Sequence, residues 1–510
     1  MQQESVMKIV SMQVSQYLDQ YAVTETTRRF LSQEQRMYIN GVWVESETGE
    51  TLDVYEPSTG TFLTRVPSAT NADVDRAVAA ARAALDDGDW PRMTPRDREQ
   101  VLHRIADLVD QNAQTVAEIE TVDNGKAITG CLDADVGGSV ETLHYMAGWP
   151  TKIEGAIRPV STPGKHFAYT LKEPVGVVGA IVPWNWPFNM AIWKIAAPLA
   201  AGCTIVIKPA QQTSLSLLYF MELCEQAGLP KGVLNVITGK GSSVGQHLVA
   251  HPGVSKVSFT GSTEVGRTVG KAAMEHIAHV TLELGGKSPM VVFEDADIER
   301  VVDATQASVF FNTGQVCSAG SRMYVHRAIY EDVVEAVANR AQAMKLAPGL
   351  DPESEMGPVI SQQQYESIGN YLELGEKEGA EVVCGGRKLE GPGYFIQPTV
   401  FGQTTNSMRI VQEEIFGPVL VAQSFSDEDE AVRLANDNEY GLAASVFTRD
   451  ISRAHRVVPR IQAGTVWVNT HDRIESCMPF GGYKNSGIGK DLGPEQLEHF
   501  LETKTVWIEL

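Results

Sequence analysis

The fold is decided by residues 259–266, FTGSTEVG, where a short apolar strand ends and a helix begins. Gly261 and Gly266 are five positions apart, a spacing that differs from the dinucleotide fingerprint G-x-G-x-x-G. The physics is shared, because a glycine lets backbone approach a ligand and a helix N-terminus attracts phosphate. The same residues could form an ordinary helix N-cap at Ser262, so both interpretations stay open for this segment alone.

Apolar strands and helices alternate on both sides of this turn. Strands are predicted at 175–182, 204–208, 233–237, 256–260 and 280–284, and helices at 187–200, 213–226, 242–250 and 264–276. This alternation predicts βαβ units around a buried parallel sheet. A second α/β series begins at 289–293 and runs to about 485. Upstream, Asn40-Gly41 predicts a hairpin over 37–44, and helical periodicity covers 71–86 and 95–110.

Three segments fall outside the two α/β series. Residues 1–35 are predicted to form a helical arm, 151–173 an exposed hairpin, and 505–510 a strand. Such strands need a partner edge, and another subunit is the expected source. The predicted domains are the arm at 1–35, a dinucleotide-binding domain at 36–150 and 174–285, a catalytic domain at 286–485, and oligomerisation strands at 151–173 and 486–510.

Composition excludes several classes of function. The 510 residues carry a net charge of −22, which argues against nucleic acid or anionic membrane partners. No apolar run approaches the roughly 20 residues that span a bilayer. The N-terminal residues lack the apolar core of a secretory signal, so the cytoplasm is the expected compartment. The six cysteines share no metal-ligand or pairing spacing, and no metal site is predicted.

Cys317 is the candidate nucleophile. It lies in residues 310–320, FFNTGQVCSAG, and Glu283 lies 34 positions earlier in 282–287, LELGGK. A thiol that attacks a carbonyl needs a base or a depressed pKa, and the resulting thioester needs a base to bring in water. The alternative is that the cysteine is a small buried hydrophobe, which fits Cys203, Cys224 and Cys384 in their apolar runs.

Further motifs follow the predicted strands. Asn185 lies in 183–187, PWNWP, which is either a rigid packed turn or a fixed amide donor for an oxyanion. Lys208 lies in 207–210, IKPA, and is either a solvated lysine or a donor to a ribose hydroxyl at the carboxyl edge of the sheet. Residues 413–418, EEIFGP, and 479–484, PFGGYK, would each be ordinary turns if seen alone.

Together these motifs resemble the aldehyde dehydrogenase superfamily from about residue 36 to 510. The resemblance implies an α/β fold with a Rossmann-type parallel-sheet cofactor domain, an α/β catalytic domain and a small β oligomerisation element. It implies that Cys317 is the nucleophile, Glu283 the general base and Asn185 the oxyanion donor. Lys194 and Asp491 resemble the proton-exit partners of the base, with Asp in place of a more common Glu.

The resemblance also implies a nicotinamide cofactor. Lys208 would bind the adenosine ribose, and Glu414 the nicotinamide ribose. Gln211 stands where NAD-preferring members usually carry a glutamate that repels a 2′-phosphate, so NADP use beside NAD is expected. The remaining predicted cofactor contacts are Ile181, Val182, Pro183, Trp184, Gly241, Gly245, Phe259, Gly261, Ser262, Val265, Leu284, Gly285 and Phe416.

Within the superfamily the chain resembles bacterial phenylacetaldehyde dehydrogenases. The resemblance is carried by 145–149, YMAGW, 151–153, TKI, 464–471, GTVWVNTH, and 478–482, MPFGG. Betaine-aldehyde, indole-aldehyde and alkyl-aldehyde members share much of these segments. An apolar, aromatic funnel suits an aryl or long apolar aldehyde, unless its members simply pack the core. The predicted funnel residues are Trp186, Met190, Trp193, Phe311, Met478 and Phe480.

Two further classes of function remain open. A CoA-acylating member of the same fold would release an acyl-CoA, but it would not need Glu283 as a water-activating base. A catalytically silent relative would not need Cys317, Glu283 and Asn185 together. The resemblance also implies a homo-oligomer, either a dimer or a dimer of dimers, in which each predicted hairpin completes a sheet in a neighbouring subunit.

Overall fold

The computed structural model describes residues 16–510, so the first fifteen residues of the predicted arm lie outside the described residues. The arm's later part contains a helix, Glu25–Leu31, which Thr24 caps by accepting a hydrogen bond from the Thr27 N–H. Among the residues described, none of the helices combines the length and the apolar character needed to cross a membrane.

The strands are β1 Met37–Ile39, β2 Val42–Val44, β3 Thr51–Glu56, β4 Thr61–Pro67, β5 His166–Pro174, β6 Val177–Ile181, β7 Thr204–Lys208, β8 Leu234–Val236, β9 Lys256–Thr260, β10 His279–Glu283, β11 Pro289–Val292, β12 Arg322–His326, β13 Glu381–Cys384, β14 Thr399–Gly402, β15 Val419–Phe425, β16 Tyr440–Gly441, β17 Ala443–Phe447, β18 Thr465–Val468, β19 Tyr483–Lys484, β20 Gly487–Ile488 and β21 Leu501–Glu509.

The main helices are α1 Glu25–Leu31, α2 Asn71–Asp86, α3 Pro95–Gln111, α4 Ala113–Asn124, α5 Gly138–Ala147, α6 Pro187–Ala201, α7 Leu215–Gln226, α8 Gln246–Ala250, α9 Thr263–Glu275, α10 Ile298–Thr305, α11 Tyr330–Ala343, α12 Gln362–Lys377, α13 Glu428–Asn436, α14 Ile451–Val457 and α15 Gly493–Glu498. Shorter helical turns are Trp90–Arg92, Ile128–Gly130, Cys131–Gly137, Pro150–Lys152, Gly241–Gly245, Gln306–Phe310, Phe311–Gly314, Arg409–Gln412 and Val458–Arg460.

The predicted βαβ series forms an eight-stranded sheet in the order β2-β1-β8-β7-β6-β9-β10-β20. Within this order, the neighbouring strands β8, β7, β6, β9 and β10 are parallel. Every residue of β6, β7 and β9 is buried. In register, Ile181 pairs with Lys208 and with Phe259, and Thr260 pairs with Glu283. The carboxyl ends of four strands therefore share one edge, which is where such sheets bind ligands.

The second α/β series forms a seven-stranded sheet in the order β13-β14-β15-β12-β11-β17-β18. All of its neighbours are parallel except the edge pair β13 and β14. Cys317 lies in the connection between α10 and β12 of this second series. The domain boundaries given above stay a prediction.

The hairpin predicted over 151–173 is found only in part. Only an isolated bridge joins Ile157 to Tyr169, and the regular strand is β5. Pro159 and Pro163 lie between them, and proline cannot donate to a β ladder. β5 pairs antiparallel with β21 of the same chain along its whole length, so each of these strands has one partner edge within the chain.

Local sequence signals account for the accuracy of the other boundaries. Asn40 and Gly41 have φ values of 53° and 74°, as a two-residue hairpin turn requires, and β1 pairs with β2 as predicted. Helix α2 begins after Thr70, which forms a capping box with Asp73. Together with the alternating strands, these signals placed most of the elements whose bounds were predicted within a few residues.

Candidate active site

Cys317 follows a turn with an unusual backbone. Asn312, Thr313 and Gly314 have φ values of 46°, 56° and 70°, three consecutive left-handed residues. A Cβ at Gly314 would lie 2.0 Å from the Gly417 carbonyl oxygen, so only glycine fits. The turn is held by contacts with its surroundings, because left-handed backbone is intrinsically unfavourable for residues such as threonine.

A hydrogen-bonded network joins this turn to Asn185. The Asn185 Nδ2 donates to the Gln315 carbonyl at 2.9 Å, and the Asn312 Nδ2 donates to the Asn185 carbonyl at 2.8 Å. The buried Gln315 side chain donates to the Asn312 carbonyl at 3.0 Å and accepts from the Ile360 N–H at 3.0 Å. Because the Asn185 amide has two N–H donors, one remains for an oxyanion near Cys317.

The Cys317 thiol is protonated at neutral pH. Burial raises the pKa of Cys317, and the carboxylates of Asp472, Glu414 and Glu283 raise it further, against a smaller effect of the Ser318 backbone N–H. A sulfur in this environment needs a proton acceptor before it can attack. The environment of Cys317 therefore favours the uncharged thiol over the thiolate.

Glu283 is the candidate base for water. It ends β10, and neither carboxylate oxygen has a hydrogen-bond donor among the described residues. Burial raises the pKa of Glu283 well above its usual value, and Asp491 raises it further, while Lys194 and Lys490 lower it. A Cβ at Gly481 would lie 2.4 Å from the Glu283 Oε1, so this glycine makes room for the carboxylate.

Lys194 and Asp491 form a buried ion pair near this base. The Gln496 Nε2 donates to the Asp491 Oδ1 at 3.0 Å and to the Trp193 carbonyl at 2.8 Å, and the backbones of Asp491 and Phe480 exchange two hydrogen bonds. Both charges are fixed in place, and both act on the pKa of Glu283. The structure brings Lys194 and Asp491 into contact, while their role as proton-exit partners of the base stays a prediction.

The carboxyl edge of the eight-stranded sheet fits a dinucleotide. Lys208 ends β7, and its buried Nζ donates to the carbonyls of Pro209 and Gly239 at 2.7 and 2.9 Å. Burial lowers the pKa of Lys208 to about 8. A Cβ at Gly241 would meet no atom within 4 Å, so the space above this glycine is open. Gln211 is exposed just beyond β7.

The opening of α9 and the loop at Glu414 complete this edge. Ser262 caps α9, and Val265 in its first turn is 49% exposed, which leaves the helix N-terminus open to an anion. The Glu414 Oε1 accepts from the Gly286 N–H at 2.9 Å, and burial raises the pKa of Glu414 to about 7. A Cβ at Gly285 would lie 2.1 Å from the Glu414 Oε2.

The remaining predicted cofactor contacts lie around the same edge. The Phe416 ring packs edge-to-face on Trp184 at 5.2 Å between centroids. Gly261 approaches the Phe259 ring, Gly245 packs on Ile181 and Lys208, and Gly266 packs on Leu284. Val182 and Pro183 continue from the end of β6. The chain thus brings the predicted cofactor residues together, while their individual roles stay predictions.

The six predicted funnel residues differ in burial. Met190, Trp193 and Phe480 are buried, and the Trp193 and Phe480 rings meet edge-to-face at 5.6 Å. Trp186 and Phe311 are half-buried and stack at 5.7 Å with 22° between their planes. Met478 is 61% exposed. Trp186 directly follows Asn185, whose amide donates to the Gln315 carbonyl two residues before Cys317, so the stacked Trp186 and Phe311 form an aromatic wall along the loop that carries the thiol.

Comparison with known proteins identifies the family. The model of the aldehyde dehydrogenase family matches residues 43–506. The chain belongs to the aldehyde dehydrogenase family. It is 45% identical over 479 residues to a phenylacetaldehyde dehydrogenase of Pseudomonas fluorescens, covering 93% of this chain and 95% of that one.

Solved aldehyde dehydrogenases share the fold. The NAD+ complex of an aldehyde dehydrogenase from Bacillus cereus matches with a TM-score of 0.94 at 45% identity, covering 96% of this chain and 99% of that one. A betaine aldehyde dehydrogenase from Staphylococcus aureus in complex with NAD+ matches with a TM-score of 0.93 at 40% identity, covering 95% and 97%. The predicted resemblance and fold class are confirmed.

Sequence reasoning missed three residues of this aldehyde dehydrogenase that shape the site. Asn312 and Gln315 were quoted in the cysteine motif without a role, yet their amides hold the loop against Asn185. Lys490 donates to the Gly481 carbonyl and lowers the pKa of Glu283 from across that glycine. A lysine directly before Asp491 was a signal for the third residue, but only folding brings it beside Glu283.

Proposed function

We propose that this aldehyde dehydrogenase oxidises an arylacetaldehyde, such as phenylacetaldehyde, to the carboxylic acid with NAD, and that it also accepts NADP. The observation that carries the proposal is that Asn185 is hydrogen-bonded to the loop of Cys317, that Glu283 is near enough to raise the pKa of this cysteine, and that Trp186 and Phe311 stack along the same loop. The 45% identity to a phenylacetaldehyde dehydrogenase supports the same substrate class. A cytoplasmic location and a homo-oligomer, dimer or dimer of dimers, belong to the same proposal.

The first step is attack of the Cys317 sulfur on the aldehyde carbon. The thiol loses its proton to water as it attacks, so this step does not require Glu283. The developing oxyanion accepts hydrogen bonds from the Asn185 amide and the Cys317 backbone N–H. Because the Gln315 carbonyl fixes the Asn185 amide, these donors need no reorganisation when charge develops.

The cofactor, when bound, supplies the hydride acceptor. Lys208 and the α9 N-terminus would hold its adenosine and phosphate part, and Glu414 its nicotinamide ribose. The exposed amide of Gln211 does not repel a 2′-phosphate, so this chain's own residues do not exclude NADP by charge. The oxidised adduct on Cys317 is a thioester.

Hydrolysis of the thioester requires Glu283. Its buried carboxylate accepts a proton from water as the water attacks the thioester carbon, and the raised pKa of Glu283 makes it a stronger base than an exposed glutamate. The Lys194–Asp491 ion pair lies next to the base and can pass the proton outward. The products are the carboxylic acid and the free Cys317 thiol.

The other candidates are weaker. A CoA-acylating enzyme would not need Glu283, and a silent relative would not need the three catalytic residues together. For a betaine-type aldehyde, one face of Trp186 is already covered by the Lys126 ammonium at 3.8 Å from the ring centroid, so that face cannot receive a quaternary ammonium.

The test is Cys317→Ala, with the exposed Cys477→Ala as the matched control. Reduced nucleotide formation is followed with phenylacetaldehyde, betaine aldehyde and acetaldehyde, with and without CoA. We expect no turnover from Cys317→Ala and normal turnover from Cys477→Ala. Retained turnover without Cys317 would refute the mechanism, acyl-CoA as product would favour the acylating class, and a preference for betaine aldehyde would refute the substrate class.

A further inference from the structure

Trp186 contacts both a cation and an aromatic ring. The Lys126 Nζ lies over one part of its ring system at 3.8 Å from the centroid, and the Phe311 ring stacks on it at 5.7 Å. Cation–π and offset-stacked contacts both restrain the orientation of an indole. Lys126, Trp186 and Phe311 therefore form one group of contacting side chains in the aromatic wall. We call this group the Lys126 stack.

Lys126 is held more firmly than a surface lysine. Its Nζ donates to both oxygens of the buried Asp135 carboxylate at 2.8 and 2.7 Å, and its side chain is 1% exposed. The buried carboxyl of Glu120 lies in the same cluster and accepts from the Phe188 N–H at 3.1 Å, at the start of α6. A buried ammonium that makes two hydrogen bonds to a carboxylate has little freedom to leave the face of the indole.

The Lys126 stack is also joined to the loop that carries Cys317. Phe311 immediately precedes Asn312, whose amide donates to the Asn185 carbonyl, and Asn185 immediately precedes Trp186. On its other side, Phe311 borders a cavity of about 390 Å³ that Lys126 and Gly130 also line. Because this cavity leaves space on one side of the Phe311 ring, the position of that ring is limited by its contacts with the Trp186 indole and with Gly130.

We propose that Lys126 is a positioning residue that, held by Asp135, fixes Trp186 and through it Phe311, and so sets the width of the aldehyde funnel for aryl substrates. The inference rests on the proposed function for its substrate class. An aryl aldehyde must fit against this wall, whereas acetaldehyde is too small to depend on it. Loss of the cation should therefore act on substrate selectivity rather than on chemistry at Cys317.

The first experiment compares Lys126→Met with Lys126→Arg. The methionine keeps an apolar side chain of similar length and removes the charge, while the arginine keeps a cation for the indole. We expect the KM for phenylacetaldehyde to rise about tenfold in Lys126→Met while kcat, and the KM for acetaldehyde, change less than about twofold. Lys126→Arg should restore most of the selectivity. Lys126→Met/Asp135→Asn removes both members of the ion pair, so that the Asp135 carboxylate is not left buried without its cation.

A second experiment moves Phe311 without touching any charge. A Cβ at Gly130 would lie 3.0 Å from the Phe311 Cζ, so Gly130→Ala must push the ring. Gly137→Ala, in the adjacent helical turn, is the matched control, because its Cβ would meet only the Leu132 carbonyl at 3.5 Å. We expect Gly130→Ala to change the ratio of kcat/KM for phenylacetaldehyde to that for acetaldehyde, and Gly137→Ala to leave it unchanged.

The outcomes separate this inference from the proposed function. If the wild-type enzyme shows no preference for aryl aldehydes, the proposed substrate class fails, and the stack is then judged on the bulkiest aldehyde that is turned over. A loss confined to bulky aldehydes in Lys126→Met and rescued by Lys126→Arg supports the stack. An equal change for bulky and small aldehydes, no rescue by arginine, or an unchanged ratio in Gly130→Ala overturns it.

Discussion

Replacing Glu283 by glutamine should divide the reaction into a rapid first turnover and a stalled second half. Glutamine has the same shape, but it cannot accept a proton from water. Because neither Glu283 oxygen has a hydrogen-bond donor among the described residues, the exchange breaks no bond that the protein itself makes. The expected loss is therefore that of one general base, about 10²- to 10⁴-fold in steady-state turnover.

The assay is a rapid-mixing measurement of NADH, which should show a burst close to one equivalent per active site and then a slow phase. Exposed Glu275→Gln is the matched control and should show normal turnover. In the wild type, the steady rate should rise with pH as Glu283 loses its proton, while the variant should lose this dependence. Equal slowing of the burst and the steady phase would refute the assignment of Glu283 to hydrolysis.

Glu283→Gln should also change how the stability of the protein depends on pH. Folding raises the pKa of Glu283, so the folded state binds this proton more tightly than the unfolded state does. Wild-type stability is therefore lost as pH rises from the ordinary glutamate pKa toward the raised one. Glu283→Gln removes this dependence, and its melting temperature should gain on the wild type as pH increases. A difference that shrinks with rising pH would contradict the buried, unpaired carboxylate.

Three further predictions concern other parts of the enzyme. Asn185→Ala should lower kcat by about 10²- to 10³-fold, measured by steady-state kinetics, because one oxyanion donor is lost; an intact kcat would reject that role. Gln211→Glu should raise the ratio of NAD to NADP efficiency by about tenfold, since a carboxylate repels the 2′-phosphate, and an unchanged ratio would place specificity elsewhere. Deleting residues 506–510 should weaken both association and stability, measured by light scattering and thermal melting; a wild-type chain that is monomeric at micromolar concentration would refute it.

The main sheet could be predicted because its signals are local. Short apolar runs separated by helical periodicity place β6 to β10, and Asn40-Gly41 specifies its turn without help from distant residues. Helix α2 begins after Thr70 because the capping box needs only the next three residues. The order of the strands also makes the carboxyl edge the expected ligand site, and the structure brings Lys208 and Glu283 there.

The sequence could not reveal pairings that depend on distant segments. The partner of β5 lies more than 300 residues away in β21, and alternation alone does not say which edge a strand will meet. The role of Gln315 was hidden for a similar reason, because Ile360 and Asn185 come to it from separate elements. The sequence did not point to Lys126, because its proposed role depends on contacts with Asp135 and Trp186 that only the folded chain makes.

The left-handed run from Asn312 to Gly314 bears on how the enzyme fails under mild denaturation. Single residues of this kind cost on the order of 1–2 kcal/mol, and Thr313, being β-branched, bears the full cost. Such a segment keeps its shape only while its neighbours enforce it. The cysteine loop should consequently relax before the two sheets melt, and catalytic activity should vanish at lower urea concentrations than the far-ultraviolet circular dichroism signal. Refolding would restore helices and strands first and a competent thiol last.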